Sequence, residues 1–176
     1  PAKILDQTRD IVIEEFEKSD EDVKDGMDIA LCTLKDMRLE YAGAHNPLWI
    51  IRKGEITESE LGSPERAKVH KFDEHYLAEI KADKQPIGKY DQPTSYTMHA
   101  ISLKTGDRIY IFSDGLADQF GGELGKKLKT INVKHFLISI QNHNMEDQAT
   151  LLEKHFKEWK GDLQQVDDVC FIGVEV

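Results

Sequence analysis

Apolar residues recur along this chain at two spacings, and the change from one to the other outlines its elements. Over residues 4–16, Ile4, Leu5, Ile11, Val12 and Phe16 share one side of a helical wheel, with Asp and Glu opposite. That spacing predicts an amphipathic helix. It runs into an acidic linker, Lys18-Ser19-Asp20-Glu21-Asp22. Residues 27–34 read as a strand, Lys35-Asp36-Met37 as a turn, and residues 38–42 as the hairpin partner. Gly43-Ala44-His45-Asn46-Pro47 breaks the pattern, residues 48–51 resume it, and Lys53-Gly54 turns the chain again. Such a meander predicts an antiparallel sheet.

Residues 58–75 are polar and charged, with Pro64 among them, and read as a surface insertion. Strands are predicted at 76–80 and 95–103, separated by a loop over 81–89 that carries Pro86 and Gly88. Lys104-Thr105-Gly106-Asp107 turns into Ile109-Tyr110-Ile111-Phe112, an apolar run suited to a strand buried on both faces. Helices are predicted at 133–141, with Phe136, Leu137 and Ile140 inward, and at 145–160, closed by Gly161. A last strand covers 169–174. A helix, several antiparallel strands, two helices and a final strand amount to an α+β fold, with sheets packed under helices.

Composition narrows the class. The 176 residues suffice for one domain with a full core, and 39% hydrophobic with 32% charged residues describes a soluble globular chain. A formal net charge of −10 argues against nucleic acid or an anionic membrane as partner. No apolar run reaches transmembrane length. Cys32 and Cys170 lie in separate apolar runs without zinc spacing, so they read as buried free thiols of a reducing compartment, the cytoplasm. The chain opens on Pro1 with a segment already helical, which suggests a piece of something longer.

The candidate chemistry is acidic. Ser113-Asp114-Gly115 puts a carboxylate where an apolar strand hands over to a helical turn, and Gly115, lacking a Cβ, lets an ion or group come close. Asp114 is a candidate ligand for a hard cation; a turn with Asp114 or Ser113 as N-cap is the plainer alternative. Asp167-Asp168 is a second acidic step beside an apolar strand. Were the two strands neighbours, Asp114 and Asp167 would converge on a space for Mg²⁺ or Mn²⁺, which oxygen ligands select over zinc. Paired carboxylates also serve glycosidases as acid and base, but no aromatic sugar platform accompanies these. His45, in a Gly/Pro-flanked loop, reads as part of the turn, although an exposed imidazole there could act as an acid. Asp25 and Asp28 read as a cap and a surface residue. No P-loop, G-x-G-x-x-G or G-x-S-x-G is present.

Six segments together carry a resemblance. They are 25–32 (Asp-Gly-Met-Asp-Ile-Ala-Leu-Cys), 41–48 (Tyr-Ala-Gly-Ala-His-Asn-Pro-Leu), 82–88 (Ala-Asp-Lys-Gln-Pro-Ile-Gly), Gly106-Asp107, 111–122 around Ser113-Asp114-Gly115, and Gln165-Val166-Asp167-Asp168. In this order the chain resembles the bacterial stage II sporulation protein E-type serine phosphatases, a branch of the metal-dependent PPM protein phosphatases, from about residue 4 to residue 176.

The resemblance implies an αββα sandwich, two antiparallel sheets flanked by helices. It implies two Mn²⁺ or Mg²⁺ ions that activate water for in-line attack on phosphoserine or phosphothreonine. By motif, Asp114 and Asp167 become metal-holding catalytic residues, with Asp168 in support. The implied substrate is a phosphorylated regulatory protein such as an anti-sigma-factor antagonist, and an upstream sensory domain is implied in the parent chain. The family's Asp-x-x-Gly-x-Gly segment ahead of the first helix has no match here. Residues 1–176 are therefore expected to be a single partial phosphatase domain, N-terminally truncated, weak in metal binding and turnover. Sheet edges left open in this way would permit homodimerisation. The rivals are a pseudophosphatase that binds a phosphoprotein without turnover, and another divalent-metal phosphoester hydrolase.

Overall fold

The computed structural model describes residues 1–18 and 25–176. From Ser19 onward, the expected acidic linker lies outside the described residues. The chain begins with α1 (Ala2–Glu17) and continues through β1 (Gly26–Met27), β2 (Ile29–Lys35), β3 (Arg38–Ala44), β4 (Leu48–Lys53) and β5 (Ala67–Phe72). Next come β6 (His75–Ile80), β7 (Ile87–Gly88), β8 (His99–Ser102) and β9 (Arg108–Phe112). A single helical turn, α2 (Gly115–Asp118), precedes the short pair β10 (Phe120–Gly121) and β11 (Lys126–Lys127). Helices α3 (Thr130–Ser139) and α4 (Met145–Lys160) then lead to β12 (Phe171–Glu175).

Alternating side chains along β4, Leu-Trp-Ile-Ile-Arg-Lys, explain the layering. A large antiparallel sheet runs β12-β9-β4-β6-β5, with β4 at its centre; a small one runs β2-β3-β8. Leu48 and Ile50 of β4 join a core with Leu39, Tyr41 and Ile101 of the small sheet. Trp49 and Ile51, one residue out of phase, join a second core with Val133 and Leu137 of α3. On the outside of the small sheet, Ala42 and Ala44 pack against Ala2 and Leu5 of α1. The result is helix, sheet, sheet, helices: the expected α+β, αββα sandwich. Trp49, Tyr41 and Tyr110 are its largest fully buried side chains. Burying a ring of this size contributes about 4–6 kcal/mol of hydrophobic driving force.

The run Ile109 to Phe112 divides its side chains between both cores, as a strand buried on two faces should. It lies one place from the edge, however, beside β12. A buried ion network fixes its start. Arg52 donates through Nε to Asp107 Oδ1 at 2.6 Å and through Nη2 to Oδ2 at 2.7 Å. Its Nη1 reaches Glu60 Oε1 at 2.7 Å, and the Lys104 amide closes the turn onto Asp107 Oδ2 at 2.8 Å.

Four expectations change. The strand expected over 95–103 begins only at His99, because the Tyr96 and Thr97 amides donate to the carboxylates of Asp6 and Asp83, at 3.1 and 2.6 Å, and not to a neighbouring strand. The span 58–75 carries more of the fold than a surface insertion would: Leu61 is 1% exposed, and β5 pairs with β6 from Ala67↔Ile80 to Phe72↔His75. The helix expected over 133–141 starts at Thr130. Cys170 is exposed, whereas Cys32 is half-buried with its thiol pushed up to about 11 by burial. Helix α4 keeps its expected bounds: the Asn144 side chain caps it by accepting the Asp147 amide at 2.8 Å, and Lys157 and Lys160 occupy its last turn. Among the described residues, no helix is long and apolar enough to cross a membrane.

Candidate functional site

Strands β9 and β12 pair antiparallel, with Phe112 opposite Phe171, so the residues after β9 and those before β12 meet at one end of the large sheet. Ser113 fastens that end. Its amide donates to the Cys170 carbonyl at 3.0 Å, its Oγ donates to the Asp168 carbonyl at 2.8 Å, and the same Oγ accepts the Cys170 amide at 2.9 Å. The chain then enters α2 with Asp114 at the N-cap position. No side-chain cap bond forms there. The Asp114 carboxylate is thus exposed and unspent on the helix, contrary to the plainer N-cap alternative for that residue.

Gly115 explains how close the two segments come. A Cβ on it would stand 3.0 Å from the Asp168 carbonyl carbon and 3.3 Å from the Asp167 carbonyl oxygen. Only glycine lets the acidic step lie flat against the start of α2. Asp167 turns its Oδ1 to the Asp168 amide at 2.7 Å, and Gln165 Nε2 donates to the Asp167 carbonyl at 2.8 Å. Gln119, fully buried, clamps the approach: its Nε2 donates to the Gln164 carbonyl at 3.0 Å and its Oε1 accepts the Val166 amide at 3.3 Å. Asp114 and the Asp167–Asp168 step are therefore neighbours, although 52 residues lie between 114 and 167.

Asp28 was expected to be a surface residue, and it is one. It is exposed just before β2, yet it feels both His45 and Asp114. Partial burial pushes its carboxyl up, His45 pulls it down, and the Asp114 charge pushes it up again. The signal for this lay in the hairpin. Asp36 and Met37 have φ of 48° and 61°, a two-residue turn of the type I′ kind that fixes the pairing of Lys35 with Arg38 and of Ile29 with Ala44. One step further along that register, Asp28 comes opposite His45. His45 itself is exposed at φ 58°, held by its amide to the Asp83 carbonyl at 2.9 Å. Asp25 lies exposed ahead of β1.

The donor chemistry suits a hard cation. Asp28, Asp114, Asp167 and Asp168 offer carboxylate oxygens without a thiolate, and no salt bridge among the described residues engages any of them. Among the described residues no group of three or more His, Cys, Asp and Glu gathers as a ready cage. Mg²⁺ is commonly held by one or two carboxylates, with water and phosphate completing the shell.

Comparison with known proteins agrees with the architecture. A family model described as stage II sporulation protein E (SpoIIE) matches residues 1–176. The SiaA-PP2C domain of Pseudomonas aeruginosa superposes with a TM-score of 0.77 at 22% identity, over 100% of this chain and 61% of that one. The chain thus spans less than two thirds of that relative's length. The S. agalactiae serine/threonine phosphatase gives a TM-score of 0.59 at 16% identity, over 98% of this chain and 67% of that one. The catalytic domain of serine/threonine protein phosphatase PstP, solved in complex with 2 manganese ions, gives 0.57 at 14%, over 94% and 64%. No curated protein matches the sequence.

Proposed function

The chain belongs to the stage II sporulation protein E (SpoIIE) family, and from that premise we propose that it acts as a metal-dependent protein serine/threonine phosphatase. The substrate in this reading is phosphoserine or phosphothreonine on a bacterial regulatory protein, such as an anti-sigma-factor antagonist. One observation carries the reading: Asp28 feels Asp114, and the Asp167–Asp168 step lies against Gly115, so unpaired carboxylates gather at one end of the stacked sheets.

We assign Asp114 and Asp167 to hold Mn²⁺ or Mg²⁺, two ions in all, with Asp168 in support and Asp28 as a further carboxylate. Bound there, the ions would lower the pKa of a water and offset charge on the phosphoryl oxygens. The chain's own part is positioning. Ser113 and Gln119 lock the ends of β9 and the segment before β12, so the acids need not be ordered when substrate arrives. Gly115 keeps the approach narrow. With a net charge of −10, the protein would repel a phosphorylated partner unless cations intervene.

A second reading has one observation in its favour, the lack of a three-residue cage among the described residues. In it, the chain holds a phosphoprotein without turning it over. Calorimetric titration of Mn²⁺, followed by phosphate release from a phosphoserine peptide, separates the two. Weak binding and slow release, both lost in Asp114→Asn, are expected. Peptide binding without release would favour the second reading, and release from small phosphoesters alone would favour another divalent-metal hydrolase.

A further inference from the structure

His45 stands between the acidic site and a cleft of about 750 Å³, lined by it and by Arg66, Lys81, Lys84 and Tyr90 among others. The charges of this cleft are unevenly committed. Glu79 is engaged by Lys134 Nζ at 2.8 Å and by Trp49 Nε1 at 3.3 Å. Asp83 is engaged by Arg66, by the Thr97 amide at 2.6 Å and by Thr97 Oγ1 at 3.1 Å. Glu65 is the one acid of the lining left over. Lys81 and Lys84, both exposed, have no ion-pair partner among the described residues. The Arg66 Nε is buried with no hydrogen-bond acceptor.

The wall is also built before any ligand arrives. Gln85, 2% exposed, grips Thr94 twice, Nε2 to the carbonyl at 2.7 Å and Oε1 from the amide at 3.0 Å. Tyr96 donates its hydroxyl to the Pro86 carbonyl at 2.7 Å, and the Lys81 amide donates to the Arg66 carbonyl at 2.9 Å. Free positive charge on a fixed wall stands out in a molecule whose net charge is −10.

We propose that this cleft receives the polypeptide segment flanking the phosphorylated residue, and that the segment it takes is acidic. The proposal rests on the phosphatase reading for what lies at the other side of His45. Lys81 and Lys84 supply the attraction, and Tyr90, 46% exposed, supplies an aromatic surface for the chain to lie on.

The test uses three fluorescein-labelled peptides, read by fluorescence anisotropy in the presence of Mn²⁺. One carries phosphoserine with flanking glutamates, one phosphoserine with flanking lysines, and one unphosphorylated serine with flanking glutamates. The glutamate phosphopeptide is expected to bind at least about tenfold tighter than the lysine one, and salt should weaken that preference. Lys81→Glu with Lys84→Glu, at exposed positions where the fold is indifferent, should abolish or reverse it, with circular dichroism unchanged. Equal binding of the two phosphopeptides, or a preference untouched by the charge reversal, would overturn the cleft assignment and leave the phosphatase reading standing if phosphate is still released. Equal binding of the unphosphorylated and phosphorylated glutamate peptides, lost on charge reversal, would support the cleft and count against the phosphatase reading.

Discussion

The backbone of Asp168 presses on Gly115 so closely that a Cβ there would lie 3.0 Å from the Asp168 carbonyl carbon. Gly115→Ala must therefore push the acidic step away from α2 and strain the Ser113 fastening. Overpacking of this kind costs about 1–3 kcal/mol. At about 2–4 °C per kcal/mol, thermal unfolding should fall by several degrees. Calorimetric Mn²⁺ affinity should fall with it. An alanine variant that melts and binds like the parent would show that the contact yields without consequence.

Asp28→Asn is expected to weaken Mn²⁺ binding while leaving the fold intact, because the residue is exposed and its carboxylate accepts no hydrogen bond among the described residues. The measurement is the rise in melting temperature on adding Mn²⁺. Saturation at a hundred times Kd stabilises a protein by about 2.7 kcal/mol, so loss of affinity appears as a smaller rise at the same concentration. Equal rises in parent and variant would remove Asp28 from the site.

Asp107→Ala should be among the costliest single changes. Asp107 is fully buried, and its removal leaves the Arg52 guanidinium buried with only the Glu60 carboxylate to balance its charge. Breaking a buried pair from one side costs about 3–5 kcal/mol. The double change Arg52→Met with Asp107→Leu should lose less than Asp107→Ala alone, read as urea midpoints. A larger loss in the double variant would mean that the pair is worth more than its desolvation.

Two groups among those that contribute to the response to acid can be tested singly. Burial pushes the Glu60 carboxyl up, but hydrogen bonds from Lys104, Thr57 and Arg52 outweigh it and hold the group well below its ordinary range. Its stabilisation is present above the unfolded pKa of about 4.3 and drains away as pH falls through the lower folded value. His99, 1% exposed, is held below its ordinary value by burial and then by the Arg66 charge. It too favours the folded state above about pH 6.5, and that support is lost as pH falls, since the unfolded chain takes up the proton first. Melting curves should show a gentle loss below neutrality, flatter in His99→Phe, and a steeper one in strong acid, flatter in Glu60→Gln. Identical slopes in parent and variants would assign the acid response to other groups.

Much of the layering was legible because periodicity reports burial directly: the run at 48–51 reads apolar throughout and proves to be the centre of the large sheet. Asp114 and the Asp167–Asp168 step stood out because a carboxylate at the end of an apolar strand is unusual chemistry, and the pairing of β9 with β12 brings them side by side. What escaped was set at a distance. The Tyr96 and Thr97 amides take side-chain acceptors from Asp6 and Asp83, which no local pattern announces. Asp28 read as a surface residue, which it is; that it faces His45 follows only from the register across the hairpin. Span 58–75 looked like a surface insertion because its few apolar residues are scattered among charges, and the burial of Leu61 depends on packing against residues far away in sequence.

The turn at Asp36 and Met37 stands a strand's length, about 24 Å at 3.4 Å per residue, from the acids it aligns. Because its two residues decide the count along β2 and β3, length there is inherited information. One residue added at that tip would slide the ribbon by a notch, face Asp28 with a stranger, and silence the far end without touching a single acid. Lineages carrying this domain should therefore tolerate new letters at the tip far better than new length.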